Sequence, residues 1–529
     1  MSATGLRSIR YAQEMRAAPL DVIIANDLLP DAVAAIASNV ERNGLSTETD
    51  VVPSEGDANV VMHQAAAQQD LFDVIDIDPY GGANPFIDAA VQAVADGGLL
   101  AVTCTDMGVL ANINNADTCY GKYGATPVKA TFCKEAALRI VLACLDRHAN
   151  AYGRYIEPLL SLSIDFYVRM FVRVRKGKAG ANLAGTRQGE VYHCVGCHAV
   201  HHATHMTAHP NRKKPNAPPK VRPSFGPPVG PRCELCGCRF RVGGPLWLDP
   251  IHDRSFVAAM QAALAAGPDD RFGTAARIAG MLAVAAEELE DAPFCYEVGQ
   301  LTKVLSITQP SDATFRSALI NGGFAVSSSH TAAEAVKTNA PPQAVWNIIL
   351  AWARDNPPRE GRIKPDSAGA RLLAGADEAA VDAVSFESHP DAIPPSRKAG
   401  LRRFQVNPTE NWGPKSRAKP KSKVASGAEA ATAAVATAAA TGESRKRTAS
   451  AAGSRNDVQA AKRAKNQGKR TRGAKPCFAM AKQGSCPAGE SCPYSHDPEV
   501  LAGIPWLKAV QERQASADQA DGDGISKSA

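Results

Sequence analysis

The stretch that most limits how this chain can fold is Leu71-Phe72-Asp73-Val74-Ile75-Asp76-Ile77-Asp78-Pro79-Tyr80-Gly81. An apolar run reads as a buried strand, and its carboxyl end carries a carboxylate, a rigid proline and an aromatic ring in succession. In an open α/β sheet, ligands and chemistry gather outside the carboxyl ends of the strands. A strand-end Asp-Pro-Tyr suits an enzyme that holds a flat base on an aromatic face while a carboxylate accepts hydrogen bonds from its exocyclic amine. The same letters also make an ordinary Asp-Pro turn, so the neighbouring segments have to decide.

They repeat the pattern. Asp21 to Asp27 reads as a second buried strand ending in an acid, followed by a helix starting at Pro30-Asp31. An acid in that position commonly grips ribose hydroxyls. Before it, Ser2-Ala3-Thr4-Gly5-Leu6-Arg7 is a small-residue turn feeding a helix, which lets a cofactor approach the backbone closely. Gly56-Asp57-Ala58-Asn59 is a third acidic turn, with Asp57 placed to accept from an adenine amine. Taken singly, Arg7 reads as a surface helix residue, Asp27 as an N-cap and Asp57 as a turn acid; together they describe a nucleoside-cofactor pocket.

Two cysteine groups have metal spacing. Cys194-x2-Cys197 and Cys233-x2-Cys236 are paired thiolates of the kind that hold structural zinc, with Cys238 an alternative ligand and His193, His198, His201, His202, His205 and His209 nearby. These histidines read as part of a solvated, variable loop rich in lysine and proline. Cys477-x8-Cys486-x5-Cys492-x3-His496 has the spacing of a CCCH zinc finger, a unit too small to fold without its metal. Such fingers often bind single-stranded RNA by stacking bases on aromatics, here Phe478 and Tyr494. The cysteine usage suits a reducing compartment with bound metal.

Charge is unevenly spread. The chain of 529 residues carries +6, yet residues 415–475 hold sixteen Lys and Arg against three acids, so everything else sums to −7. That Ala/Ser/Gly-rich basic segment cannot bury enough surface to fold and reads as a disordered linker. Arg445-Lys446-Arg447 and Lys462-Arg463-Ala464-Lys465 within it look like nuclear import signals and non-specific RNA grips. No apolar stretch reaches the roughly 18 residues of a membrane span, and no secretory signal follows Met1.

Domain boundaries follow from composition. Residues 1–180 alternate buried strands and helices, closed by β-prone residues from 161 to 175. Residues 181–414 form a second, mixed α/β region containing the paired cysteines and helices around 256–265 and 274–289. Residues 415–474 are the linker, 475–498 the finger and 499–529 a polar tail.

With those residues in view, the chain resembles the tRNA guanine-N2 dimethyltransferases that modify guanine 26 using S-adenosylmethionine. The likeness runs through Ser2 to Arg7, Ala25-Asn26-Asp27, Asp76 to Gly81, Cys104-Thr105-Asp106-Met107 and Tyr120-Gly121-Lys122-Tyr123-Gly124. It continues through Ser163 to Arg169, Gly244-Pro245-Leu246-Trp247, Ser329-His330, Lys337-Thr338, Phe404 to Pro408 and Asn411 to Pro414. The resemblance implies a class I S-adenosylmethionine-dependent methyltransferase fold, α/β with a Rossmann-like sheet, plus the mixed α/β second domain and the small CCCH finger. It assigns Asp78, Pro79 and Tyr80 to catalysis, Arg7, Asp27, Asp57 and Ala58 to the cofactor, and structural zinc to the paired cysteines. The partners it implies are tRNA and, through the finger, other RNA; the expected location is the nucleus, with mitochondrion or cytoplasm as alternatives.

One departure stands out. In that family the small-residue turn follows the central strand of the sheet, whereas here Met1 lies within the turn. The expectation is a sheet lacking its first strand, with neighbouring backbone groups unpaired in a buried place, each costing about 1–3 kcal/mol. This motivates reading the chain as an incomplete fragment and, as a rival function, a catalytically inactive tRNA- or RNA-binding protein or chaperone. A second rival keeps the enzyme and changes the target to an adenine or glutamine amino group.

Overall fold

The computed structural model describes residues 1–15, 20–212, 214, 217–267 and 272–403. The basic linker, the CCCH finger and the motifs between 404 and 414 lie outside the described residues. Parallel strands β1 (Ile23–Asp27) and β2 (Val51–Glu55) form one small sheet, in which Asp27 sits opposite Glu55. Pro53 is tolerated in β2 because that strand pairs only with β1 and lies at an edge.

A second sheet has the order β3-β4-β6-β5, formed by β3 (Phe72–Ile77), β4 (Val94–Cys104), β5 (Arg154–Ile164) and β6 (Tyr167–Lys176). β3 and β4 run parallel, while β4, β6 and β5 pair antiparallel. The segment read as closing the sheet by antiparallel strands is therefore this β5–β6 ribbon. The helix Cys133–Ala151 packs against β5 and is buried from Glu135 through Asp146.

Between β1 and β3 no ladder exists among the described residues, which is the gap the sequence anticipates. Burial along its edges is mixed: Ile24 on β1 is 40% exposed and Val74 on β3 is 49% exposed, while Ala25 and Ile77 are fully buried. The helix Leu6–Glu14 joins the two sheets instead. Its Ile9 packs with Ala25, Ile36 and Val40 of the smaller unit, and its Arg7 and Tyr11 bond to Asp76 on β3.

The region read as a Cys/His-rich loop contains more order than its composition suggests. β7 (Gln188–Cys194), β8 (Val200–Thr204) and a strand at Phe240–Trp247 form a sheet, and two further strands, β9 (Met206–His209) and β10 (Lys220–Pro223), make a separate antiparallel ribbon. Prolines and histidines hid the alternation that would have marked them. A second core gathers around Trp346, Phe315, Leu301 and the four cysteines at 194, 197, 233 and 236.

The two cores are tied by a buried charge network. Glu135 on the long helix accepts from Arg139, the Phe294 N–H and Lys337 Nζ, the last at 3.1 Å. Lys337 also donates to Glu288 at 3.1 Å, and its side chain is 1% exposed. Burial alone would push the lysine down, but Glu135 and Glu288 hold it above the ordinary ammonium range. Removing one partner of such a group leaves an uncompensated buried charge, costing about 3–5 kcal/mol. Lys337→Met is therefore expected to lower the denaturant midpoint by that equivalent, whereas Lys364→Met, at an exposed position, is expected to leave it within error.

Candidate active site

Acids gather at the carboxyl ends of the parallel strands, among them all three singled out from the sequence, Asp27, Asp57 and Asp78. Asp27 ends β1; Asp57 follows β2 and caps the helix Ala58–Gln68 by accepting from the Asn59 N–H at 2.8 Å; Asp76 and Asp78 end β3; Asp106 follows β4. Gly56 N–H donates to Asp27 O at 3.0 Å, which brings the first two ends together. Asp57 thus has a capping role of its own, with its side chain exposed and Ala58 buried behind it.

Asp27 accepts from the Ala3 N–H at 2.9 Å and pairs with the Met1 amino group at 2.9 Å. Burial would raise its carboxyl, but those bonds and the Leu29 N–H hold it below the usual range. The turn that feeds Arg7 is fixed by this carboxylate, and Gly5 supplies the left-handed conformation (φ 75°) that starts the helix.

Arg7 lies between two carboxylates. Nη1 donates to Asp76 at 2.9 Å and Nη2 to Asp78 at 2.7 Å. Asp76 also accepts from Tyr11 OH at 2.8 Å and from Arg169 Nη1 at 2.7 Å, and Arg169 reaches Thr103 on β4 at 2.6 Å. Burial pushes the Asp76 carboxyl up, yet Arg169, then Arg7 and Tyr11, outweigh it and keep the group ionised. Tyr11, buried beside that charge, is pushed up to about 12 and remains a donor. Sequence reasoning assigned Arg7 to the cofactor; in the structure its guanidinium binds Asp76 and Asp78.

Asp78 has a side chain 36% exposed, and Tyr80 beyond it is 63% exposed, so both face the open end of the sheet. Gly81 holds the turn to β4 through Thr105: its N–H donates to Thr105 Oγ1 at 2.9 Å, and the Thr105 N–H donates back at 2.8 Å. Gly82 admits no side chain, since a Cβ there would lie 2.3 Å from Tyr123 OH and 2.6 Å from Asp106 Oδ2. Asp106 in turn accepts from Tyr123 and from Lys122 at 3.1 Å. Lys122, part of the family-like Tyr120 to Gly124 segment, is thus engaged by Asp106.

Asp76, Arg169 and Tyr11 were missed as site residues because nothing in their spacing marks a network assembled from a helix and three strands. Tyr167 also stands in the field of Asp78, on the β5–β6 turn where Asp165 takes a left-handed conformation (φ 50°) and is clamped by Arg277 at 2.7 and 3.0 Å.

Two groups have metal-like composition. Cys194, Cys197, Cys233 and Cys236 are all buried, with Sγ···Sγ distances of 3.4 Å (194–236) and 3.6 Å (197–233). A tetrahedral ion with thiolates at about 2.3 Å separates them by about 3.8 Å, so the four fit one. Cys238 stands outside, its sulfur accepting from Arg371 at 3.4 Å. The second group, His252, Glu288 and His330, does not fit. The Ser161 N–H donates to His252 Nδ1 at 3.4 Å and the Ser163 N–H to His330 Nε2 at 3.1 Å. An amide only donates, so the ring nitrogens facing Glu288 carry protons and offer no lone pair to a metal. Lys337 already neutralises that carboxylate.

The strand-end acids, the helix fed by a small-residue turn and the sheet define a class I S-adenosylmethionine-dependent methyltransferase. A family model described as N2,N2-dimethylguanosine tRNA methyltransferase matches residues 1–350. A Mus musculus tRNA (guanine(26)-N(2))-dimethyltransferase is 43% identical over 498 residues, covering 94% of this chain and 70% of that protein. The Schizosaccharomyces pombe enzyme of the same name is 44% identical over 417 residues, 79% of this chain and 74% of its own. Among solved structures, Trm1 from Pyrococcus horikoshii with S-adenosyl-L-methionine superposes with a TM-score of 0.55 at 25% identity, covering 65% of this chain and 85% of that one. The chain belongs to the N2,N2-dimethylguanosine tRNA methyltransferase family.

His252 provides a pH test. Burial, opposed by Glu288, holds its imidazole below the ordinary value, so the folded state keeps it neutral while the unfolded chain takes a proton near pH 6.5. Its contribution is complete above that pH and is lost on acidification. The melting temperature is expected to fall between about pH 7 and about pH 5.5, and to fall less in His252→Gln, as followed by circular dichroism.

Proposed function

We propose that this chain methylates the exocyclic N2 of guanine 26 in tRNA, giving N2-methyl- and N2,N2-dimethylguanine, with S-adenosylmethionine as donor. The observation that carries the reading is an oriented, partly exposed carboxylate, Asp78, at the end of β3 in a chain of this family. The bound cofactor supplies an electrophilic sulfonium methyl. Guanine N2 is a poor nucleophile because its lone pair is delocalised into the ring. Asp78, accepting the N2–H bond, localises that pair and takes the proton as the carbon–nitrogen bond forms and the methyl–sulfur bond breaks. Arg7 holds the carboxylate in line, the Pro79 carbonyl accepts a second N–H, and Tyr80 stacks on the base, which must leave its helix to reach them.

Arg7, Asp27, Asp57 and Ala58 frame the cofactor: Asp27 for the ribose, Asp57 and Ala58 for the adenine. Residues 1–180 carry the chemistry, 181–414 form the second domain, and 475–498, beyond the linker, are a finger for RNA. Zinc in the four-cysteine group is structural, since its sulfurs are buried and all four positions are filled by protein. A second zinc belongs to Cys477, Cys486, Cys492 and His496. The basic linker directs the chain to the nucleus.

In Asp78→Asn, dimethylguanosine in tRNA is expected to fall by roughly 10²–10⁴-fold while calorimetric cofactor affinity persists. Undiminished product, measured by nucleoside mass spectrometry, or methylated adenine in its place, overturns the assignment. In Cys197→Ser, bound zinc is expected to drop by one equivalent with loss of the cooperative melt, whereas Cys238→Ser keeps both.

A further inference from the structure

The ribbon of β9 and β10 belongs to neither core, and its sequence stands apart from the rest of the body. Between Glu190 and Glu234 there is no acidic residue, against six Lys and Arg and six His. The ribbon's register pairs His209 with Lys220 and Thr207 with Arg222, and alternation puts these four side chains on one face. Thr207 and His209 confirm it by a hydrogen bond of 3.1 Å. The other face carries Met206, Ala208, Val221 and Pro223, and Met206 on it meets the body, where a Cβ on Gly185 would lie 2.7 Å from Met206 Cγ. The base is pinned: His205 N–H donates to Gln188 O at 2.8 Å and Ser224 N–H to His205 O at 3.0 Å.

The outward face is therefore basic by construction. Arg212, Lys214, Lys220 and Arg222 are exposed, and none forms an ion pair among the described residues. Lys220 and Arg222, two residues apart on one strand, stand about 6.6 Å apart, comparable to successive phosphates of one nucleic-acid strand. Phe225, just past β10, is fully exposed.

We propose that this ribbon is a phosphate-binding arm that grips the tRNA backbone away from the target base. This rests on the methyltransferase reading above. The arm meets the body beside Arg187, whose guanidinium lies over Tyr155 at the first end of β5, whereas Asp78 neighbours the turn at the other end. Eleven residues of strand separate those ends by roughly 33 Å. The arm acts on affinity and has no part in proton or methyl transfer.

The test uses the full chain with Arg212→Gln, Lys220→Gln and Arg222→Gln combined, and a charge-matched control with Arg359→Gln, Arg362→Gln and Lys364→Gln. For the arm variant, the slope of log affinity for tRNA against log salt is expected to shrink by roughly 2–3. Affinity near physiological salt should fall on the order of 10–100-fold. Thermal stability and calorimetric cofactor affinity serve as the folding check. An unchanged slope in the arm variant, or an equal loss in the control, overturns the arm. If the unaltered chain itself neither binds tRNA nor forms dimethylguanosine, the methyltransferase reading fails, a different result.

Discussion

One carboxylate holds the catalytic end of this molecule together. β1 and β2 share no ladder with the sheet that begins at β3, so the halves of the site are joined through the helix Leu6–Glu14, and that helix bonds to β3 through Asp76. Asp76 stays ionised in a half-dry setting because Arg169, Arg7 and Tyr11 surround it. Two of these donors come from the helix and one from β6, so a single charge registers three elements at once. The Arg7–Asp78 contact inherits its geometry from this arrangement. A neutral residue at 76 would leave two guanidinium groups competing for Asp78 and Thr103 without a fixed pivot.

The region around the four cysteines is attached by the same physics at greater depth. Lys337 lies between Glu135 on the catalytic domain's long helix and Glu288 beyond it, with no solvent to share the charge. Such a network adds little net stability over apolar packing, but it penalises any shift of one core against the other. The methyltransferase sheet and the four-cysteine region are thereby held in one arrangement.

The sequence was most informative where chemistry is encoded in contiguous letters. The Asp78-Pro79-Tyr80 turn, the strand before it, the Asp27 strand end and the paired cysteines all stand where their spacing put them. It was least informative where function arises from residues far apart in the chain, as with Asp76 and Arg169, separated by 93 positions. Pro53 masked β2, because proline in a strand argues against a ladder unless the strand is at an edge. The histidines from 193 to 209 read as solvated loop because their alternation with small residues does not resemble an apolar period; three of them lie on β7 and β8. His252 gave no local signal and His330 only its place in a family-like segment, since each acts on a strand about ninety or more residues earlier.

Those two imidazoles have an effect beyond charge. β5 is the outer strand of the catalytic sheet, and an outer strand presents a row of amides that another chain can adopt as a template. The Ser161 and Ser163 amides point away from β6 and end on His252 and His330. Side chains from far along the chain thus seal that border against recruitment of a foreign strand, guarding the folded molecule from amyloid-like stacking along its catalytic sheet.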